Sequence, residues 1–302
     1  MKTYVPNYYK SFKCIADKCK HNCCISWEID IDEDTNEYYQ SIGGRFCQRL
    51  KKDIILNDEC ACFRLDGKER CAFLNKNNLC DIILKLGEDA LCQICSDHPR
   101  FRNYYDNAVE IGLGLCCEEA GRLILGQNEK FKLVIIDEDL DDNCEDEFLK
   151  LKESIFVELQ NENHSLKEKV STLLNKNNIE INKKDFNEWV DYFILLERLD
   201  DNWTNLLHDL KVTNFDNAFL TTDFDKIFEK LLLYFIYRHL DEMNESKIEF
   251  AVFSVFFISQ ICRYHVVKYG NLQFEDIVEY ARMYSSEIEY SDENIEKIIE
   301  KL

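Results

Sequence analysis

Proline and glycine are scarce in this chain, and their placement is uneven. The 302 residues include two prolines, Pro6 and Pro99, and nine glycines. Both prolines and eight of the glycines fall by Gly126, after which only Gly270 remains. That excludes a collagen-like or Gly/Pro-rich disordered chain and leaves the C-terminal part free of helix breakers. The opening run Met1–Tyr9 lacks the apolar core of a secretory signal. The most apolar stretch, Phe250 to Ile261, contains Ser254, Ser259 and Gln260, and it is shorter than the roughly 20 residues a membrane span needs. Cations are in deficit, with 37 Lys and Arg against 58 Asp and Glu, a net charge of −21. Affinity for phosphate backbones needs clustered cations. The expectation is a cytoplasmic protein with neither a nucleic-acid nor a membrane partner.

Cysteine is abundant. Of 15 cysteines, 13 lie between Cys14 and Cys117, and only Cys144 and Cys262 follow. A reducing compartment disfavours disulfides, so a cysteine-dense segment there points to metal binding or redox chemistry. Charge follows the same split. Residues 1–117 carry 16 basic and 18 acidic residues, which leaves −19 of the −21 to residues 118–302. Acidic helices ordinarily form a solvated surface, and they also suit a cationic partner.

The two halves obey different patterns. Residues 1–126 show no sustained period. Trp27-Glu28-Ile29-Asp30-Ile31-Asp32 alternates like a strand or an extended lead-in to a helix near Asp34, whose acidic first turn suits the helix dipole. Gly43-Gly44 ends that helix, a short one follows from Arg45 to Lys52, and Leu84 to Cys92 reads as a turn entering another. Residues 143–302 read as nearly continuous amphipathic helices. Thr222-Asp223 is an expected cap, the helix from Lys247 to Tyr269 is expected at the bundle centre, and Gly270 is its expected C-terminal stop. Phe131 to Ile136 is a candidate for one strand. The expected fold is mainly α. An irregular cysteine-rich metal-binding region spans residues 1–126, an acidic linker residues 127–142 and an all-α helical bundle residues 143–302.

Two cysteine sets stand out. The first is Cys14-x4-Cys19-x3-Cys23-Cys24. Four thiols within so short a run converge only if the backbone wraps tightly, as it does around an iron–sulfur cluster or a tetrahedral ion. The second is Cys71, Cys80, Cys92-x2-Cys95 and Cys116-Cys117. These outnumber the ligands of one zinc, which favours iron–sulfur chemistry and keeps zinc as the alternative. Cys47, Cys60, Cys62, Cys144 and Cys262 are expected to pack as small apolar side chains.

The run from Tyr8 through Cys14, Cys19 and Cys23-Cys24-Ile25-Ser26-Trp27 resembles the start of the flagellin lysine-N-methylase family. The later landmarks keep the family order: Cys71-Ala-Phe-Leu, Leu79-Cys80-Asp-Ile, Leu91-Cys92-Gln-Ile-Cys95, His98-Pro99-Arg100 and Cys116-Cys117-Glu118-Glu119-Ala120. Cys117 takes the place of the family's proline. The helical stretches around Leu196–Trp203 and Tyr234–His239 extend the resemblance over nearly the whole chain. The pattern also looks like a distant relative of a broad zinc- or iron-chelating family, although the first cysteine gap here is four residues where that family has two.

The resemblance implies an iron–sulfur enzyme, with a 4Fe–4S cluster, that moves a methyl group from S-adenosylmethionine to lysine Nε of flagellin or another lysine-bearing protein. It implies Cys14, Cys19, Cys23, Cys24, Cys71, Cys80, Cys92, Cys95 and Cys116 as ligand candidates. No G-x-G-x-x-G follows a strand; Gly112-Leu-Gly114 is expected to be a loop. Nor is there a C-x3-C-x2-C triad. Methylating an amine by displacement requires its neutral form and a linear approach. Arg100, Tyr237, Arg238 and His239 are the polar candidates for that work. An arginine such as Arg238 can pair with a donor carboxylate, or simply snorkel from an amphipathic helix. The competing expectation is a non-enzymatic zinc- or iron-binding protein whose helical domain binds a partner.

Overall fold

The computed structural model describes residues 1–56, 60–138, 147–179, 185–211, 224–242 and 244–302. The chain divides into two compact units, one of residues 13–100 and one of residues 1–12 with 101–302. These units do not coincide with the boundaries expected from composition. The first strand, β1 (Lys2–Pro6), belongs to the larger unit although it precedes every cysteine.

The smaller unit runs β2 (Asp30–Ile31), α1 (Glu33–Ser41), α2 (Arg45–Lys52), β3 (Ile54–Leu56), β4 (Ala61–Phe63), α3 (Asp81–Leu86) and α4 (Gln93–Asp97). Its sheet has the order β2-β4-β3 and is antiparallel. Ile29, Ile31, Tyr39, Leu50, Phe63, Phe73 and Ile82 form a small core, with Cys71 and Cys92 buried among them. The expected lead-in at residues 27–32 and the helices on either side of Gly43-Gly44 are present. Leu84 to Leu86 ends a helix instead of starting one. Gly87 takes φ +95, a conformation that glycine adopts without strain, and the chain turns there toward Cys92.

The larger unit continues with β5 (Arg100–Tyr104), β6 (Ala108–Leu113), α5 (Glu118–Gly126) and β7 (Leu133–Glu138). Helices α6 (Glu147–Leu159), α7 (Leu166–Lys176), α8 (Phe186–Leu195), α9 (Asp201–Lys211), α10 (Asp225–His239), α11 (Glu245–Tyr269), α12 (Phe274–Tyr284) and α13 (Asp292–Lys301) complete it. Mainly α is therefore right, but two small sheets were not expected. The second has the order β5-β6-β1-β7, with β1 parallel to β6 and antiparallel to β7. The strand expected at Phe131–Ile136 is present, shifted by two residues. Leu133–Glu138 pairs with the N-terminal strand in the register Pro6↔Leu133 and Tyr4↔Ile135.

Gly112 is not a loop residue either. It lies in β6, where an added Cβ would stand 2.2 Å from the Phe101 ring and 2.8 Å from Tyr237. Its missing side chain lets both rings close over the sheet.

Among the described residues α11 alone is long and apolar enough by length and composition to cross a membrane, and 72% of its apolar window is buried within the protein. It exceeds the expected apolar stretch because its flanks pack too: Ile248 and Cys262 are both fully buried. Gly270 closes it at φ +82, in the left-handed region. Thr222-Asp223, Cys144 and the acidic residues from Asp139 to Asp142 lie outside the described residues.

Candidate functional site

In the smaller unit, local backbone pairing gathers the thiols. The Cys71 N–H donates to Cys24 O at 2.9 Å. Isolated bridges join Leu74 to Cys80 and Leu65 to Cys71. Cys92 starts α4, and Cys95 lies on its first turn. Asp32 fixes this arrangement by capping two helices. Its Oδ1 accepts from the Thr35 N–H of α1 at 2.9 Å, and its Oδ2 from the Gln93 N–H of α4 at 2.7 Å. Burial alone would raise the Asp32 carboxyl, but the Gln93 and Thr35 donors outweigh it and hold it below the usual carboxylate range.

Cys24, Cys71, Cys80, Cys92 and Cys95 share one core cluster. The thiols pair. A hydrogen bond from Cys24 lowers Cys23 and leaves Cys24 the strong proton holder, and Cys92 and Cys95 stand in the same relation. Burial pushes Cys71 up to about 11 and also raises Cys80. Cys24, Cys71, Cys80 and Cys95 each feel charge on another member of the set. Among the described residues, no three His, Cys, Asp or Glu side chains form a group that could hold a metal ion. The thiols are neighbours, but they are not arranged as a closed tetrahedral ion site.

The remaining ligand candidates are not members of that core cluster. Cys14 is exposed, and its Sγ accepts from Ala16 N at 3.4 Å; Cys19 Sγ donates to His21 O at 3.2 Å. Cys47 and Cys62 are buried, as expected of packing residues; Cys62 also donates to Glu28 Oε1 at 2.8 Å, and Cys60 to Asp30 Oδ1 at 3.3 Å. Arg100 Nη1 donates to Ser96 O in the last turn of α4, 3.1 Å away.

Cys116 belongs to the larger unit and to a different constellation. Its Sγ donates to Tyr290 Oη at 3.0 Å, and burial pushes the thiol up to about 12. Beside it, the last turn of α10 meets a π-helical turn at Ser285–Glu289 that continues α12. A wide turn of this kind shifts the register of the residues after it, and such turns recur at functional sites. Glu289, whose side chain is fully buried, is the hub. Its Oε1 lies 2.6 Å from His239 Nε2 and 3.2 Å from Arg238 Nε, and Tyr234 Oη is 3.1 Å from both carboxylate oxygens. Arg238 also donates to Tyr234 Oη at 2.9 Å and to Glu289 O at 3.3 Å, and lies over the rings of Phe101 and Tyr290 at 5.0 and 5.1 Å.

Burial would raise the Glu289 carboxyl, but the Arg238 guanidinium and the His239 hydrogen bond outweigh it and hold it ionised. Burial lowers His239 and prevails over Glu289, so the imidazole is neutral. With its Nε2 facing a carboxylate, that nitrogen carries the proton and Nδ1 is left to accept one. Burial raises Tyr234 and Tyr290 above the ordinary phenol. The arrangement joins a charged carboxylate to a neutral imidazole, two phenols and a thiol, which is equipment for moving a proton.

Arg238 and His239 are thus brought together, while Tyr237 points elsewhere. Its hydroxyl donates to Ile111 O at 3.1 Å, and its carbonyl accepts from Asn103 and Lys152. Sequence reasoning missed Glu289, Tyr234 and Tyr290. The acidic residues of the last helices look like a solvated face, and nothing local marks Glu289 as the one turned inward.

The family model described as the FliB lysine N-methylase C-terminal domain matches residues 100–302. A lysine-N-methylase of Salmonella typhimurium is 28% identical over 134 residues, which cover 42% of this chain and 33% of that protein. The chain thus matches about a third of that relative's length. The flagellar biosynthetic protein FliU of Salmonella muenchen is 28% identical over 134 residues, covering 42% of this chain and 79% of that protein. No solved structure matches.

Proposed function

The chain belongs to the FliB lysine N-methylase C-terminal domain family, and on that premise we propose that it transfers a methyl group from S-adenosylmethionine to lysine Nε of a protein substrate, flagellin, in the cytoplasm. The observation that carries this reading is the buried Glu289–His239 pair with its Arg238 counter-charge. S-adenosylmethionine, when bound, supplies an electrophilic methyl carbon. The lysine must meet that carbon as a neutral amine, so its ammonium proton must leave first. His239 Nδ1 accepts it, and Glu289 stabilises the resulting imidazolium through Nε2. Arg238 keeps Glu289 ionised before the proton arrives. Tyr234 holds both carboxylate oxygens and fixes the orientation of the pair. The acidic surface of residues 118–302 favours approach of a lysine-bearing segment.

We also propose that the thiols of the smaller unit hold an iron–sulfur cluster. Cys23, Cys24, Cys71, Cys80, Cys92 and Cys95 are the thiols from which its ligands would come. The thiolate donor chemistry suits iron–sulfur, and a cluster several ångströms across does not require thiols that converge on one point. No step of the proton transfer above depends on this group.

Protein purified without air would be incubated with flagellin and methyl-labelled S-adenosylmethionine, and lysine methylation read by mass spectrometry. Label on flagellin lysines supports the proposal, and loss of that label in His239→Gln supports the assigned base. Absence of label on flagellin refutes the substrate. Absence of label on any lysine-bearing protein offered refutes the activity. Metal analysis and visible absorption of the same sample test the cluster separately.

A further inference from the structure

In the larger unit β7 closes one side of its sheet, and its outer row of N–H and C=O groups has no strand partner among the described residues. A bare edge is a template for pairing with another chain, and proteins usually blunt it with proline or charge. This edge is apolar instead. Val134, Ile135 and Ile136 stand 39, 46 and 39% exposed in a row, and no proline interrupts them. Exposed charge flanks the run, with Lys132 before it and Asp137 after it. Neither side chain has an ion-pair partner among the described residues.

The register of β7 against β1 settles which of these residues share a face. Val5 pairs with Val134 and Thr3 with Asp137. Thr3 and Val5 lie on one face of β1, so Val134 and Asp137 share a face as well. Simple alternation would put those two on opposite faces. The register shift between Thr3 and Tyr4 leaves Ile136 as an extra residue and brings them together. Lys132 is two residues before Val134 and joins the same face. The pairing reaches it through the Asn7 N–H, which donates to Lys132 O at 2.8 Å. One face of the edge thus reads cation, valine, anion, evenly spaced about Val134.

That pattern is its own complement. A two-fold axis through Val134, perpendicular to the sheet, sets a second copy antiparallel to the first. Val134 then meets Val134, and each Lys132 stands opposite the Asp137 of the other copy. We infer that β7 is a self-pairing edge, through which this chain forms a two-fold dimer with its two four-stranded sheets joined as one. The dimer covers the exposed apolar run, pairs the open ladder groups and gives both free charges a partner. A purely basic or purely acidic partner would satisfy only one of those charges. The inference is independent of the methyl-transfer reading.

Sedimentation velocity on the full chain, purified without air, tests it. One strand edge is a small interface, so the expected dissociation constant is on the order of 10 μM. Lys132→Glu and Asp137→Lys each set like charges against each other across the axis, and each is expected to weaken the dimer by about 10-fold or more. Both positions are exposed, so melting temperatures should hold. The decisive sample is the equimolar mixture of these two variants, in which every cation again meets an anion. It should form a heterodimer of near wild-type affinity, while Val134→Lys should abolish pairing altogether. A wild-type chain still monomeric at about 200 μM overturns the inference. So does a dimer indifferent to these substitutions, which another surface must form, and so does a mixture no tighter than either variant alone. Flagellin binding to a monomeric chain that Val134→Lys removes overturns it in favour of the substrate as occupant of the edge.

Discussion

Replacing Lys152 with methionine perturbs one buried charge and nothing else of comparable size. Lys152 and Glu110 side chains are both fully buried, with Nζ 2.6 Å from Glu110 Oε2. All three ammonium donors are used, the other two on Tyr237 O at 2.9 Å and Tyr105 Oη at 3.1 Å. These contacts tie β6 to α6 and α10. Burial pushes Lys152 below the ordinary lysine range, with Glu110 pulling the other way. At an effective dielectric of about 20 the attraction across 2.6 Å is about 6 kcal/mol. Desolvating the two ions costs several kcal/mol each, so the pair as a whole contributes little. Losing one partner is a different matter. Lys152→Met leaves the Glu110 carboxylate buried without a counter-charge, held only by the Tyr105 hydroxyl that donates to Oε2 at 2.8 Å, and Oε1 already has no partner among the described residues. The expected loss is about 3–5 kcal/mol. Urea unfolding followed by the fluorescence of Trp189 and Trp203, both buried in the same unit, measures it. The Glu110→Leu/Lys152→Met double variant should be more stable than Lys152→Met alone. A single-variant loss under about 1 kcal/mol, or a double variant worse than the single, would refute the reasoning.

Glu289→Gln keeps the shape of the hub but not its charge, so methyl transfer should fall by about 10²–10⁴-fold; equal activity would remove Glu289 from the proton path. The same pair sets an acid limb of stability. His239 and Glu289 both bind protons less readily folded than unfolded, so the unfolded chain gains protons first and stability falls with pH. The decline begins near the ordinary histidine value of 6.5 and continues below the ordinary carboxylate value of 4.5. Melting temperatures across that window should flatten in a His239→Gln/Glu289→Gln double variant, and an unchanged slope would count against the assignment. Asp32→Ala removes two helix caps at once, each worth about 0.5–2 kcal/mol. Because α4 carries Cys95, iron content should drop with stability, and full iron retention would show that the cap does not hold that helix in place. Cys71→Ala and Cys80→Ala should each lower iron and sulfide together in protein purified without air, whereas Cys262→Ala, in the helical core, should leave both unchanged.

Where a signal is local, the structure follows the sequence closely. The acidic start of α1, the short helix that begins after Gly44 and the stop at Gly270 all depend on residues within one turn of the backbone they shape. The long apolar helix, too, lies buried, as its composition requires. The expected domain boundaries rested on composition alone. Composition separates a cysteine-rich stretch from a helical one, but it is blind to β1 crossing into the other unit, because Lys2 pairs with Ala108 over a hundred residues away. Gly112 reads as a loop residue for the same reason, since the Phe101 and Tyr237 rings that need its space lie in other elements.

The candidate site divides along the same line. The sequence by itself determined the inventory: which thiols stand close together in the chain, that Arg238 and His239 end a helix, and that the helical part is acidic. Only the tertiary structure decided which of these groups act together. It placed five cysteines in one core cluster and Cys116 beside Tyr290. It turned Glu289 inward on a widened turn. Periodicity and capping act over a few residues, so they can be read along the chain. The pairing of a buried charge is settled by whatever lies across the core, and no short stretch of sequence records that neighbour.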